Sequence, residues 1–183
     1  AYLPQESNEW YDITVFEAVL QGRYPYLKGM GFPDKEDISI CNECLKTCGV
    51  DKFADRSLNE LSGGERRKVR LASILSQSSS ILILDEPTSS LDIHAELDFF
   101  ILLKKLSEDG KAVLISTHNL NLSSLYCKEL VLLKEGQTIM KGTPEKVISQ
   151  ENVTKVYGQG FKILHSDAHK NPLIIPETEN IKK

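Results

Sequence analysis

Residues 80–87 read SILILDEP, a run of four apolar residues that ends in two carboxylates and a proline. Such a nearly uniform apolar run is typical of a short strand that is covered on both faces of a sheet. Because successive strand residues point to opposite faces, we expect Asp85 and Glu86 to take different roles at the mouth of the strand. One carboxylate could hold Mg²⁺ and the other could deprotonate water, so we interpret the pair as reactive rather than merely solvated.

The segments around this strand alternate between helical and strand patterns. Apolar spacing predicts helices over 65–77 and 92–106, and KAVLIST at 111–117 predicts a second buried strand that ends at His118. This alternation is typical of an α/β fold with a mainly parallel sheet, whose chemistry gathers at the carboxyl ends of the strands. His118 is therefore expected beside the carboxylate pair, where it could bind a phosphate or the attacking water.

The remaining chain shows helices, one hairpin and a polar tail. Residues 36–49 are predicted to be helical with Gly49 as the stop, and residues 129–142 to form a hairpin that turns at Glu135-Gly136. Residues 158–183 are turn-rich and polar, which indicates an extended tail. Shorter helices are predicted at 14–22, 119–127 and from 143 onward.

The composition is that of an ordinary globular chain. Its 183 residues are 40% hydrophobic and 26% charged, and the formal net charge is −4. There is no overall excess of Lys and Arg of the kind that drives nucleic-acid binding, and the apolar runs are far too short to span a bilayer. The composition therefore favours neither a charge-driven nucleic-acid binder nor a membrane-spanning chain.

Three of the four cysteines lie close together, at Cys41, Cys44 and Cys48. The spacing C-x2-C-x3-C is compatible with a metal site. The same spacing also places all three on one helix face with Leu45, where free cysteines behave as small buried hydrophobes. We favour the core interpretation, because neither a fourth Cys nor a His lies nearby to complete a metal site. Free cysteines are typical of a reducing cytosol.

The stretch LSGGE, residues 61–65, directly precedes a predicted helix. Glycines at Gly63 and Gly64 allow a phosphate to approach the backbone without a Cβ in the way. Backbone N–H groups, the Ser62 hydroxyl and the positive end of the helix would together bind an anion.

These stretches, in order along the chain, resemble the motifs of an ABC-type ATPase. YLPQ (2–5) resembles its Q-loop, LSGGE (61–65) its signature motif, ILILDEP (81–87) its Walker B motif, SSLD (89–92) its D-loop and STH (116–118) its switch histidine. DITVFEAVLQGRYPY and several later stretches are similar to importers of the iron–siderophore, haem and cobalamin group. The resemblance extends from residue 1 to about residue 158.

The resemblance implies a partial P-loop NTPase-like ABC ATPase domain, an α/β fold with a mainly parallel sheet and a helical subdomain. It places a Q-loop segment at 1–9 and a permease-facing helical subdomain at 10–60. The signature, Walker B, D-loop and switch-histidine part of the ATPase core is placed at 61–157, and a C-terminal extension at 158–183.

The resemblance also implies roles for residues at the strand ends. Gln5 would contact Mg²⁺ and the attacking water, and Asp85 would hold Mg²⁺. Glu86 would be the general base for attack on the γ-phosphate of ATP, and His118 would bind that phosphate.

Further roles implied by the resemblance concern a second copy of the subunit. Ser62, Gly63 and Gly64, with Glu65, would bind the γ-phosphate of ATP that the opposite subunit holds. The D-loop from Ser89 to Asp92 would make contacts across the same dimer. ATP would therefore close a homodimer, and hydrolysis would let it open.

One departure from the family pattern is large. The Walker A loop, G-x-x-x-x-G-K-[ST], is absent from the sequence, and the only Gly-Lys pair, Gly110-Lys111, is followed by Ala112. Since that loop lies upstream of the Q-loop in the family, we expect position 1 to be a truncation. Without the loop, we expect the 183-residue chain alone to show no measurable ATPase activity.

The resulting hypothesis is an ATP-hydrolysing subunit of an importer for an iron chelate, haem or cobalamin. Its expected partners are a second copy, membrane permease subunits and, indirectly, a substrate-binding protein, with no nucleic acid; its expected place is the cytoplasmic face of the cell membrane. The alternatives are a soluble ABC ATPase of the DNA-repair, chromosome or translation-factor kind, and a non-catalytic ABC-like module.

Overall fold

The computed structural model describes residues 1–5, 12–27, 31–166 and 169–177. The chain divides into two compact units, Ala1–Thr117 and His118–Lys183. The predicted Q-loop segment, helical subdomain and C-terminal extension each include residues outside the described ranges. Among the helices in those ranges, none combines the length and apolar character needed to cross a membrane.

The first unit is built on a parallel sheet of three strands. Strand β1 (Tyr2–Leu3) pairs with β2 (Ile81–Asp85), which pairs with β3 (Ala112–Ser116), so β2 lies in the centre. The register sets Leu3 opposite Leu84 and Asp85 opposite Ser116. The predicted parallel sheet is confirmed, and its carboxyl edge brings polar residues from β2 and β3 together.

Only one face of this sheet is well covered by the residues that the structure describes. Leu82 and Leu84 of β2 are 0% and 1% exposed, whereas Ile81 and Ile83 on the opposite face are 54% and 43% exposed. Leu114 of β3 is 61% exposed. The prediction that these strands are covered on both faces is therefore wrong for the described residues. An apolar run shows that a strand can be buried, but the packing of other elements decides which side chains are covered.

Within the described part of the first unit, four α-helices share one core with the sheet. Helix α3 packs against α1, α2 and β1, and α4 packs against β3. The core therefore joins the helical region to the sheet without a break, and α3 lies at its centre. The helices are α1 (Val15–Leu20), α2 (Lys35–Thr47), α3 (Gly63–Ser76) and α4 (Ile93–Glu108), with short 3₁₀ segments at Gln21–Tyr26, Asp51–Phe53 and Leu58–Glu60.

A buried ion pair links the helical region to the end of α3. Arg23 and Asp37 are 6% and 5% exposed, and the Arg23 Nε donates to Asp37 Oδ1 at 2.8 Å. Arg23 also donates to the backbone carbonyl of Ser76 at 2.9 Å. Hydrogen bonding to the guanidinium holds the pKa of the Asp37 carboxyl below its ordinary value. Removal of either partner would leave an uncompensated buried charge, which is strongly destabilising.

The three clustered cysteines lie along one face of α2 and its C-terminal cap. Cys41 and Cys48 belong to the core with Leu45, and Cys44 packs against it while partly buried. The helix ends as predicted, with Gly49 at φ 67° after the last turn. Burial raises the pKa of the Cys41 and Cys44 thiols to about 11 and raises that of Cys48 further. The core-face interpretation accounts for the spacing of these residues.

Among its described residues, the second unit contains short helices and two pairs of antiparallel strands. The first hairpin joins β4 (Leu130–Lys134) to β5 (Gln137–Gly142), and it turns as predicted at Glu135 and Gly136, which have φ values of 51° and 76°. Positive φ at both central residues is the requirement of a type I′ turn. The helices are α5 (Leu120–Tyr126), α6 (Pro144–Val147) and α7 (Gln150–Tyr157).

The C-terminal segment is not only an extended tail. Residues Phe161–Ser166 (β6) and His169–Pro176 (β7) pair as a second hairpin, and β7 packs against α5. Asn121 of α5 bonds both backbone groups of Ile174, accepting from its N–H at 2.7 Å and donating to its carbonyl at 3.0 Å. The polar, Gly- and Pro-containing sequence does not predict this strand pair, and the helix that packs against β7 lies earlier in the sequence, by 53 positions from Asn121 to Ile174.

Candidate functional site

The carboxyl end of the sheet holds Asp85 in a fixed position. Asp85 is the last residue of β2, and its Oδ1 accepts a 2.6 Å hydrogen bond from the Ser116 hydroxyl on β3. The Tyr2 hydroxyl on β1 donates to the other carboxylate oxygen at 3.4 Å. Side chains from the two flanking strands therefore orient the carboxylate at the end of the central strand.

Glu86 lies beyond the strand, in an unusual backbone conformation. Its φ is 40°, in the left-handed region that L-residues other than Asn and Asp rarely adopt. The simple alternation expected for Asp85 and Glu86 as neighbouring strand residues is therefore wrong: the chain turns between them. Such strain persists where surrounding bonds over-determine the conformation. The N–H of Glu86 donates to the backbone carbonyl of Ser116 at 3.1 Å and to its hydroxyl at 2.9 Å.

Gln5 and Glu86 meet, although 81 residues separate them in the sequence. The Gln5 Nε2 donates to Glu86 Oε2 at 3.1 Å. The two residues predicted to contact the attacking water are thus adjacent in space, next to Asp85. An amide and two carboxylates at one sheet edge can hold a cation and a water molecule together.

Arg67 is the residue of this region that the sequence analysis missed. It lies on α3, is only 7% exposed, and its guanidinium donates to the backbone carbonyls of Gln5 at 3.0 Å and of Glu86 at 3.1 Å. It also donates to the Pro87 carbonyl and to the Ser89 hydroxyl, the latter at 3.1 Å. The only sequence signal was an arginine one turn inside a helix with many basic residues, which is usually a solvated position.

The turn before α3 is closed by a reciprocal cap. Ser62 is the N-cap, and its hydroxyl accepts from the Glu65 N–H at 3.3 Å. Glu65 Oε2 accepts in return from the Ser62 N–H at 2.8 Å and from its hydroxyl at 2.7 Å. These bonds hold the pKa of the Glu65 carboxyl below its ordinary value. The Ser62 hydroxyl is therefore engaged with its own helix and must rotate before it can donate to a bound anion.

Gly63 and Gly64 differ in the space around them. A Cβ added at Gly63 would have no neighbour within 4 Å, while one added at Gly64 would lie 3.2 Å from the Ala95 Cβ. Gly63 thus faces open space and Gly64 faces α4. The open side is a cavity of about 440 Å³. Its lining includes Asn59, Gly63, Arg66, Arg67, Arg70, Ser89, Ser90 and Leu91.

The basic lining and the positive N-terminal end of α3 make this cavity suited to an anion. The predicted D-loop forms part of its wall, through Ser89, Ser90 and Leu91. Ser89 donates its N–H to the Glu86 carbonyl at 3.1 Å, and Asp92 caps α4 by accepting from the Ala95 N–H at 2.9 Å. The predicted signature motif and D-loop therefore share one surface.

His118 begins the second unit, two residues after β3 ends. The following residue, Asn119, is the N-cap of α5 and accepts from the Leu122 N–H at 3.0 Å, as predicted. The placement of His118 beside Asp85 and Glu86 stays a prediction.

Comparisons with known proteins point to one family. A family model described as ABC transporter matches residues 1–89. The ferric enterobactin transport ATP-binding protein FepC of Escherichia coli (strain K12) is 34% identical over 175 residues, which cover 95% of this chain and 65% of that protein. The chain belongs to the ATP-binding subunits of ABC transporters.

Other ABC proteins agree with this assignment. The hemin import ATP-binding protein HmuV of Rhodococcus jostii (strain RHA1) is 32% identical over 98% of this chain and 61% of its own length. The structure of an inward-facing ABC transporter, described as of metal-chelate type, matches with a TM-score of 0.86 at 22% identity, over 96% of this chain and 71% of that one. At that identity the match shows the fold alone, and it confirms the predicted ABC ATPase fold. The chain spans less than two thirds of the length of FepC and of HmuV.

The residues of this chain fit Mg²⁺ and one phosphate group of ATP, but they include no Walker A loop. Asp85 and Gln5 offer carboxylate and amide oxygens, the hard ligands that Mg²⁺ prefers. The start of α3, with its open glycine and its basic cavity, fits a phosphate group. A Walker A loop is absent from the sequence, so these residues supply no cradle for the β-phosphate.

Proposed function

We propose that this chain carries the catalytic and signature parts of an ATP-hydrolysing subunit of an ABC importer. The observation that carries the proposal is the contact between Gln5 and Glu86, beside the oriented carboxylate of Asp85. Asp85 is the last residue of β2, and Gln5 and Glu86 lie in the segments that follow β1 and β2. The three side chains converge at the edge where α/β sheets carry their chemistry.

Within this site each residue has a separate task. Asp85 and Gln5 would hold Mg²⁺, which when bound neutralises charge on the phosphate oxygens. Glu86 accepts a proton from water, and Gln5 restrains that water through its contact with the same carboxylate. His118 donates a hydrogen bond to the γ-phosphate. Proton transfer by a positioned carboxylate contributes about 10²–10⁴-fold to a rate.

The predicted signature motif, residues 61–65, binds the ATP that a second copy of the chain holds. Ser62, Gly63 and Gly64 bind the γ-phosphate of that ATP through the N-terminus of α3, with the Ser62 hydroxyl released from Glu65. Ser89 and the D-loop up to Asp92 make contacts across the dimer. The 183 residues encode no Walker A cradle for the β-phosphate, so the proposal assigns to this chain the catalytic and signature parts alone.

The transported cargo is an iron chelate, haem or cobalamin. This part of the proposal rests on the names of the relatives, which transport ferric enterobactin and import hemin. The partners are a second copy, membrane permease subunits and, indirectly, a substrate-binding protein, at the cytoplasmic face of the membrane. Genes for a permease and a binding protein next to this one would support the importer; a tandem ATPase domain in their place would contradict it.

The ATPase is tested with a fusion protein in which the N-terminal segment of the ferric enterobactin relative precedes Ala1. We expect the 183-residue chain alone to release no phosphate from ATP, and the fusion protein to hydrolyse ATP in a Mg²⁺-dependent manner. Glu86→Gln in the fusion protein should lower kcat by about 10²-fold or more, since it removes the general base.

The matched control is Glu108→Gln, which removes the same charge at the exposed last residue of α4. It should leave kcat unchanged. Hydrolysis by the 183-residue chain at the rate of the fusion protein would contradict the proposal, and so would a fusion protein that keeps full activity with Glu86→Gln.

A further inference from the structure

Arg67 connects the signature helix to the catalytic end of the sheet. Its guanidinium donates to the backbone carbonyls of Gln5, Glu86 and Pro87, and to the Ser89 hydroxyl. The acceptors therefore lie in the predicted Q-loop, Walker B motif and D-loop, while the donor belongs to α3. A planar guanidinium with five N–H donors is suited to bridging several acceptors in this way.

The burial of Arg67 makes these bonds necessary. A charged side chain that is 7% exposed must satisfy its donors, because desolvation without hydrogen bonds is costly. Arg23 of the same unit is 6% exposed, but it answers the same demand with the carboxylate of Asp37. Arg67 donates to the backbone carbonyl of Gln5, which follows β1, and to backbone and hydroxyl oxygens of the turn 86–89, which follows β2. Its guanidinium therefore connects the two segments that carry Gln5 and Glu86.

Arg67 is one of the groups that restrain the left-handed backbone of Glu86. At φ 40° this residue needs restraint on both sides of its Cα. Ser116 restrains the N–H side with two bonds. On the carbonyl side, the Glu86 oxygen accepts from Arg67 at 3.1 Å and from the Ser89 N–H at 3.1 Å. Without Arg67 the turn would keep one of these two carbonyl bonds and could relax out of the left-handed region.

We propose that Arg67 is a positioning residue, which holds Gln5 and Glu86 at contact distance and links their geometry to the start of α3. The proposal deepens the proposed function, since it rests on Glu86 as the base and on α3 as the helix that receives a phosphate. Arg67 lies four residues after Gly63, about 6 Å along the helix axis. A shift of the α3 N-terminus on anion binding would therefore move the guanidinium and the turn that it holds.

The test uses the 183-residue chain, which at 20.5 kDa is accessible to NMR. The first measurement is the side-chain amide resonance of Gln5 in ¹H–¹⁵N spectra, which reports its bond to Glu86. The second is hydrogen exchange of the Ser89 and Leu91 amides, which are protected by bonds inside the turn. Arg67→Met should shift the Gln5 resonance toward that of a solvent-exposed amide and speed exchange in the turn about tenfold or more.

Arg67→Lys keeps the charge with three donors on a single nitrogen, so it should rescue the exchange only in part. The matched control is Arg23→Met, which removes a comparably buried arginine. It should lower the midpoint of thermal unfolding without moving the Gln5 resonance or selectively speeding exchange of Ser89 and Leu91.

Either of two results would overturn the proposal. One is an unchanged Gln5 resonance and unchanged turn exchange in Arg67→Lys and Arg67→Met. The other is the same local change in Arg23→Met, which would make the effect one of general stability. Neither the Gln5 resonance nor the amide exchange involves nucleotide. The role of Arg67 can therefore be contradicted while the proposed ATPase activity is confirmed, and the reverse outcome is equally possible.

Discussion

Replacement of Gly63 by alanine should raise the stability of this chain and weaken its proposed binding of phosphate. Gly63 is the first residue of α3, it has no positive φ, and a Cβ there meets no atom within 4 Å. Replacing a glycine by alanine in a compatible conformation stabilises a protein by about 0.4–1 kcal/mol, mainly by restricting the unfolded chain. For a chain of this size, 1 kcal/mol corresponds to roughly 2–4 °C in Tm.

The same Cβ should block a phosphate. It would occupy the open side of α3, where the backbone N–H groups are proposed to receive the γ-phosphate of a second copy. In the fusion protein with Glu86→Gln, which should bind ATP without hydrolysing it, ATP-dependent dimerisation is measured by light scattering after gel filtration. We expect Gly63→Ala to weaken that dimerisation about tenfold or more, because a charge-assisted bond to phosphate is lost.

Gly64→Ala is the matched comparison. Its Cβ would lie 3.2 Å from the Ala95 Cβ, so α3 and α4 must separate slightly and the gain in stability should be smaller or absent. A Gly63→Ala variant that loses more than about 1 kcal/mol of stability would refute the open geometry, since that loss exceeds what solvent-facing substitutions produce. Full ATP-dependent dimerisation of Gly63→Ala would refute the phosphate role.

Two further predictions concern the capping box and the core cysteines. Because the folded-state pKa of Glu65 is lowered, its carboxylate should stabilise the chain by a few tenths of a kcal/mol above the unfolded pKa near 4.5, and this should be lost as the pH falls through the folded value. The free energy of unfolding of Glu65→Gln, measured in urea, should therefore differ from that of wild type at pH 7, and the difference should shrink as the pH falls through the lowered pKa of Glu65. A difference that stays constant with pH would contradict this linkage. Cys41 and Cys48 are buried with raised thiol pKa values, so a thiol reagent at pH 8 should modify them only after denaturation. Stoichiometric labelling of both in the native chain would contradict that packing.

Features governed by short spacings could be predicted. The apolar runs predicted β2 and β3, and the turn at Glu135-Gly136 follows from local chemistry. The cysteine spacing predicted one helix face in the core, because a helix repeats every 3.6 residues. Gln5 and Glu86 could be placed together only through the family resemblance, and their 3.1 Å contact is what the parallel pairing of β1 with β2 produces.

Features that depend on distant partners could not be predicted in this way. The β6–β7 hairpin depends on α5, where Asn121 bonds the backbone of a residue 53 positions later. The open face of the sheet depends on where helices are missing among the described residues, which the apolar pattern of a strand does not record.

The sequence by itself determined the order of the motifs, the parallel sheet and the residue types at its carboxyl end, because these follow from periodicity and spacing along the chain. Only the tertiary structure decided that Glu86 leaves the strand in a left-handed turn and that Arg67 holds it there. The physical reason is that the acceptors of Arg67 lie as far as 62 residues away in sequence. A buried guanidinium needs hydrogen-bond acceptors, and the tertiary fold decides which residues supply them. The sequence around Arg67 does not indicate which residues these are.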